Sequence, residues 1–346
     1  MLKAVPSADT MGRAYARMYP DGLRSLLGRM CAIGRRNKYL QPRQTGLPWT
    51  VAIDGHQLFG SFSRNCDRCQ QREIKVGKSS RTQYHHQIVK AQLVNVEPPF
   101  GLDAELTAPK ESERGAALRL IPRVIKQFPF VRVFTLDALY LQAPILRMIY
   151  RSGRGAIVPL KDKKRDIYKD AQGLFASMEP KSAFLDGVPI QYWDIAGFTS
   201  MPGLRDVPIR VVRTVRTVRI RQRVGRKWQE ADHTQDWAWV VVGLGPEISP
   251  LAIHQLGHDR WDIENKGFNA EDHFFALDHC FKHDPTAILN FVLTLFLAAP
   301  LSEIFFRRNL KAPLWRRMTL SGVARLLFED PPAASESSIW PRARSP

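Results

Sequence analysis

Two rhythms of apolar residues divide this chain. Near its start Met11, Tyr15 and Met18, then Leu23, Leu26, Leu27 and Met30, recur at helical spacing and predict basic helices ending at Arg35-Arg36-Asn37-Lys38. Trp49-Thr50-Val51-Ala52-Ile53 is a run of apolar and β-branched residues that stops at Asp54-Gly55, so a buried strand with Asp54 at its end is expected. Strand-like runs at Arg72 to Val76 and His86 to Val94 precede the Pro98-Pro99 break. From Glu111 to Phe128, Ala116, Leu120, Ile121, Val124 and Ile125 share one face of a predicted helix, behind acidic residues suited to its N-terminus. Val131 to Leu136 predicts a strand ending at Asp137. A helix from about Gln142 to Tyr150 and a strand over Ala156 to Leu160 follow.

Three hairpin-like strands, then helix, strand, helix and strand, fit a mixed central sheet flanked by helices. The stretch from about Phe184 to Gly225 breaks that order, being rich in Val, Ile and Thr without a helical period, and reads as a β-rich insertion. Within it Arg210, Arg213, Arg216 and Arg219 recur every third residue, followed by Arg221, Arg223, Arg226 and Lys227. A period of three matches neither a helix face nor strand alternation, so the β-branched content favours a twisted strand with arginines on both faces. Trp237 to Leu244 predicts a strand, and Pro250 to about Phe268 one long helix carrying Arg260 and Glu264 a turn apart. The apolar run Ala287 to Leu301 falls short of the roughly 20 residues of a membrane span and is broken by Asn290, so a buried helix and no membrane are expected. Four regions result: a basic helical segment over 1–45, a core over 46–183 and 237–300, an insertion over 184–236, and a C-terminal segment over 301–346 with Arg316-Arg317 and a disordered tail from about Asp330.

Composition sharpens the picture. With 44% hydrophobic residues and 18 Phe, wholesale disorder is excluded. Lys and Arg number 51 against 33 Asp and Glu, a net charge of +18, which points to a polyanionic partner and foremost to nucleic acid. Four cysteines and the lack of a leader-like start suggest a reducing cytoplasm.

Two aspartates at the ends of neighbouring core strands and a glutamate on a helix behind them would gather three carboxylates, whose repulsion a divalent cation relieves. Hard oxygen donors select Mg²⁺ or Mn²⁺, and two such ions about 4 Å apart serve phosphoryl transfer. The blocks Val-Ala-Ile-Asp54-Gly-His, Leu-Asp137-Ala-Leu-Tyr140, His258-Asp-Arg260-Trp-Asp-Ile-Glu264-Asn-Lys-Gly-Phe-Asn269 and Leu277-Asp-His279-Cys-Phe-Lys-His283-Asp-Pro resemble those of DDE-class transposases of bacterial insertion sequences, in particular the fourth insertion-sequence family, over about residues 45–300. The resemblance implies a ribonuclease-H-like α/β fold with the β-rich insertion between the second Asp and the Glu. It implies Asp54, Asp137 and Glu264 as catalytic metal ligands for two Mg²⁺ or Mn²⁺ ions, and Arg260 on a DNA phosphate or supporting the site. The implied activity is metal-dependent strand cleavage and strand transfer on double-stranded DNA, both element ends and target, by a homodimer in a synaptic complex in the bacterial cytoplasm at the nucleoid.

The family's helix signature is Tyr, two residues, Arg, three residues, Glu, six residues, Lys. Arg260 and Glu264 fit it, but Gly257 stands at the Tyr position and Glu271 at the Lys position, with Lys266 as the nearby substitute. The segment before Asp54 is shorter than the family's usual DNA-binding region, so a truncated or degenerate copy that binds DNA without catalysis is the alternative. Lys266, Arg210, Arg213, Arg216, Arg219 and Arg221 are the expected DNA contacts beside Arg260, since nine basic residues face one acid between Arg205 and Lys227. A hairpin intermediate, found in some members, needs an aromatic wedge, and Trp193, Trp228 and Trp237 are the insertion's available rings. Cys66 and Cys69, with His85 and His86 downstream, do not match a standard finger. They read as two buried thiols, with zinc as the other possibility. His279 and His283 read as polar packing or phosphate-facing residues.

Overall fold

The computed structural model describes residues 6–308 except 78, 226, 280 and 281, and beyond 308 only 310, 318–319, 322–323 and 325. Arg316-Arg317 and the expected disordered tail lie outside the described residues. The chain divides into two compact units, one from Met1–Arg43, Gly55–Ala116 and Asp262–Pro346, the other from Gln44–Asp54 and Ala117–Trp261.

The first unit contains helices α1 (Ala8–Arg17) and α2 (Pro20–Arg36), the distal half of strand β1 (Thr50–Ser61), and strands β2 (Gln70–Val76), β3 (Ser79–Val94) and β4 (Phe100–Leu106). Strand order is β2-β3-β1, with β4 also paired to β3. Strand β4 is buried throughout Phe100–Ala104, and its buried Asp103 accepts a hydrogen bond from Arg24 Nε of α2 at 2.8 Å. Helix α8 (Pro285–Arg308) closes this unit. It extends the apolar run Ala287 to Leu301 to 24 residues and is long and apolar enough to cross a membrane by length and composition alone, a measure that core helices also meet. Its fully buried Asn290 donates from Nδ2 to the Tyr15 and Met18 carbonyls, satisfying orphan groups where α1 ends.

The second unit is a mixed sheet flanked by helices. Its strand order is β1, β5 (Val133–Leu136), β6 (Gly155–Pro159), β10 (Lys227–Val242), β9 (Ile209–Val224), β8 (Val188–Ala196) and β7 (Lys181–Leu185). β5 runs parallel to β1 and β6, and the remaining pairs are antiparallel. Helices α3 (Glu113–Gln127), α4 (Ala143–Arg151), α5 (Asp166–Ser177) and α6 (Pro250–Asp259) accompany it. Val133, Ile157, Val212, Trp239 and Val241 from four strands pack on Ile253 and Leu256 of α6. The strands β7 to β10 lie between Asp137 and Glu264, as the α/β order with a β-rich insertion requires.

Several expected boundaries move: the strands expected from His86 and from Trp237 begin at Ser79 and Lys227. β1 does not stop at Asp54 but runs to Ser61, because residues beyond Gly55 leave β5 and continue alongside β3. The long helix expected over Pro250 to Phe268 ends at Asp259. After a turn at Arg260 and Trp261 the chain winds as a π-helical turn over Ile263–Phe268, then as α7 (Asn269–Phe275). The wider turn carries Ile263, Gly267 and Phe268 inward and leaves Glu264, Asn265 and Lys266 exposed.

Candidate active site

The pairing register places the two aspartates. Ile53 lies opposite Leu136 in the parallel β1–β5 ladder, so Asp54 and Asp137 are the next residues on adjacent strands, at the same height and with the same parity. Asp137 also opens a 3-10 turn, Ala138–Tyr140, and accepts the Tyr140 N–H through its carbonyl at 2.9 Å.

Arg260 stands at the C-terminal end of α6, its side chain only 6% exposed. Its Nη1 donates to Asp54 Oδ2 at 2.6 Å, and its Nη2 lies 4.0 Å from Asp137 Oδ1. The Arg260 guanidinium thus faces both carboxylates. All the donor atoms are hard oxygens, which suits Mg²⁺ or Mn²⁺ rather than softer ions.

The helix that presents Arg260 is held by aromatic packing. Trp237 and Trp239 of β10 stack at 6.1 Å, Trp237 meets Trp261 at 5.0 Å, and His254 and His258 of α6 lie 4.3 Å apart against the same rings. Thr214 holds His254 Nδ1 at 2.8 Å. Burial pulls His254 down to about 3, with charge from His258 and Arg216 adding to it, and pulls His258 down to about 4, so both rings are neutral near pH 7.

The departures from the helix signature have structural counterparts. At Gly257 an added Cβ would collide with the Trp239 indole, so the tryptophan fills the space that a tyrosine there would need. Glu271 is 5% exposed and accepts a 2.6 Å hydrogen bond from Nζ of Lys90, which is fully buried on β3. The signature's positive position is therefore negative here, and the compensating cation comes from a strand. Sequence reasoning missed Lys90, although a lysine inside the apolar run Gln-Ile-Val-Lys90-Ala-Gln-Leu-Val was a visible signal.

Residues 49–301 match the family model for the transposase DDE domain. The chain belongs to the DDE transposase family. Comparison with curated proteins gives no match. As a transposase it acts on DNA, and its family generally uses divalent metal ions.

Glu264 of this transposase is exposed on the π turn, four residues after Arg260. Lys266 on the same turn pairs with Asp262 at 3.2 Å, and Arg43 reaches the same carboxylate. The arginines of β9 divide by strand parity into two rows, with Arg210 and Arg216 on one face and Arg213, Arg219 and Arg221 on the other. Arg210 is corrected from surface contact to buried brace. It is 6% exposed, forks onto Asp194 and donates to the Gly245 and Ile248 carbonyls at 2.8 and 3.0 Å. Arg213 is half-buried, bidentate to Asp236 at 2.9 and 2.7 Å and 4.9 Å above the Trp193 ring. Arg216 bonds Gln235 at 2.8 Å. Exposure rises toward the hairpin tip, where the Arg219 side chain is 71% exposed and Arg221 lies 5.8 Å above Trp228. Of the three candidate tryptophans, Trp228 is the exposed one at 60%, while Trp193 donates to the Met178 carbonyl and Trp237 belongs to the aromatic cluster.

Proposed function

We propose that this transposase cuts and joins DNA with Asp54, Asp137 and Glu264 as ligands for a pair of Mg²⁺ or Mn²⁺ ions. The observation that carries the reading is the register-matched pair Asp54 and Asp137 bridged by Arg260. Glu264 is assigned as the third ligand from its place one turn after Arg260 in the family-like block. Bound at these carboxylates, the metals would supply charge neutralisation for the phosphodiester and a lowered pKa for an attacking oxygen. Arg260 holds the Asp54 carboxylate by a direct hydrogen bond and places its charge near Asp137 before DNA arrives, so it is a positioning residue, and the aromatic cluster behind α6 supports that helix end. The exposed distal arginines Arg219 and Arg221 track the DNA backbone through phosphate contacts, which position without reading sequence. Joining two element ends needs two copies of the chain, and the work takes place in the cytoplasm on nucleoid DNA.

The test is strand cleavage and strand transfer by purified protein on duplexes built from the DNA that flanks its reading frame, with Mg²⁺ or Mn²⁺. Nicked and joined products are expected from the wild type. Asp54→Asn, Asp137→Asn and Glu264→Gln should bind the duplex and yield none. The changed signature positions Gly257 and Glu271 favour a second reading, a copy that grips DNA without cutting. Tight binding with no metal-dependent product from the wild type would establish that reading and end the first.

A further inference from the structure

Outside the proposed active site, four soft donors converge on one point within the first unit. They come from three distant stretches of chain: Cys66 and Cys69 in the turn after β1, His86 on β3, and His283 just before α8. We infer that these four side chains form a tetrahedral structural zinc site.

The geometry carries the inference. A tetrahedral ion with Zn–S near 2.3 Å and Zn–N near 2.0–2.1 Å sets its sulfurs about 3.8 Å apart and each sulfur about 3.6 Å from each nitrogen. Cys66 Sγ and Cys69 Sγ are 3.8 Å apart. His86 Nε2 is 3.3 Å from Cys66 Sγ and 3.5 Å from Cys69 Sγ, and His283 Nε2 is 3.7 Å from Cys69 Sγ. All four donor atoms fall within 4.8 Å of one another. A disulfide is the first competing account, but the sulfurs stand well beyond the roughly 2.05 Å of an S–S bond. Plain thiol hydrogen bonding is the second. It pairs one donor with one acceptor and gives no reason for a fourth group, 214 residues distant from Cys69, to join the same point.

The surroundings suit a closed site. Cys69 is 3% and His86 1% exposed, and the Phe59 ring meets both imidazoles edge-on at 5.6 and 5.5 Å. The Cys66 N–H donates to Cys69 Sγ at 3.4 Å, which steadies a thiolate. Two thiolates and two neutral imidazoles match the charge and softness of Zn²⁺, and four protein donors leave no open position, so the role is structural. The ion would staple the turn after β1 to β3 and to the start of α8. The sequence displayed Cys66, Cys69 and His86, but His85 is not among the convergent donors, and His283 is a ligand rather than a packing or phosphate-facing residue.

The test uses the full chain, produced with zinc and purified under reducing conditions. Elemental analysis should find one zinc per chain, retained in Asp54→Asn and Cys31→Ala. Cobalt substitution of the wild type should give the visible absorption of a tetrahedral ion with a thiolate charge-transfer band. Cys69→Ser and His283→Ala should lose the zinc. Cys66→Ser should lose the cobalt charge-transfer intensity of one thiolate even if some metal is retained. A folded wild-type chain with no stoichiometric zinc and no cobalt spectrum overturns the inference, whatever the variants do.

Discussion

Reversing the charge of Glu271 probes how this chain departs from its family's helix signature. Glu271→Lys restores the signature residue but places a second ammonium beside Lys90, whose Nζ sits 2.6 Å from the Glu271 carboxylate and 4.7 Å from the Phe296 ring centroid. Lys90 is fully buried, the second oxygen of Glu271 has no hydrogen-bond partner among the described residues, and beyond Glu271 the Asp272 carboxylate also favours the Lys90 ammonium. Breaking a buried pair by removing one partner costs about 3–5 kcal/mol. Two like charges about 4 Å apart add about 4 kcal/mol at an effective dielectric constant near 20. Losing one proton brings no relief, because driving a lysine from its ordinary pKa to neutrality at pH 7 costs about 4–5 kcal/mol, no less than the repulsion it would remove. The expected loss is therefore about 7–9 kcal/mol, comparable with the whole stability of a typical domain. Lys90→Met should cost about 3–5 kcal/mol, while Lys90→Met with Glu271→Met should return to within about 2 kcal/mol of the wild type. The exchange Lys90→Glu with Glu271→Lys should recover most of the Glu271→Lys loss. Urea unfolding of these four variants together with Glu271→Met closes the methionine cycle and gives its coupling energy directly. If Lys90→Met costs under about 1 kcal/mol, or if the double methionine variant is no better than the single, the pair is not the buried, mutually dependent unit described above.

Other outcomes follow from the same structure. His254 and His258 are held below their unfolded value near 6.5, so the unfolded chain binds more protons between pH 6.5 and about 4. Their contribution is complete above pH 6.5 and is lost as pH falls through that window, at up to about 1.4 kcal/mol per pH unit for each ring. Thermal unfolding from pH 7 to 4.5 should show this slope, and His254→Gln with His258→Gln should flatten it. Arg210→Gln leaves Asp194 half-stripped and should cost about 3 kcal/mol with no change in the salt dependence of DNA binding. Arg219→Gln with Arg221→Gln should instead spare stability and lower the salt-dependence slope by about 2, read by titrating binding from low to high salt. Gly257→Tyr should be severely destabilising and partly rescued by Trp239→Ala, as measured by melting temperature.

Local periodicity made much of the fold legible. The strands at Val51-Ala52-Ile53 and Val133–Leu136 and the helices α3 and α4 follow from short-range pattern, and with them the neighbouring placement of Asp54 and Asp137. Ile167, Ala171 and Phe175 at successive turns of α5 were an equally readable signal. Other features were hidden because tertiary context decides them. Gly55 looks like a turn residue, yet it sits inside β1 because the Glu113 carboxyl lies where a Cβ would be. The π turn after Trp261 carries no local signature. Lys90 reads as a polar interruption until Glu271 is placed against it, and His283 reads as packing until the two thiols are beside it.

The indole of Trp239 seated against Gly257 has a bearing on the chain's ancestry. A tyrosine cannot return to the helix before the strand gives up its bulk, and a strand that shrinks first leaves a hole behind α6. Each single step is harmful while the pair of steps is tolerable. Descendants of this lineage should therefore inherit positions 239 and 257 together, as a glycine facing a tryptophan or a larger residue facing a smaller one, with intermediates purged.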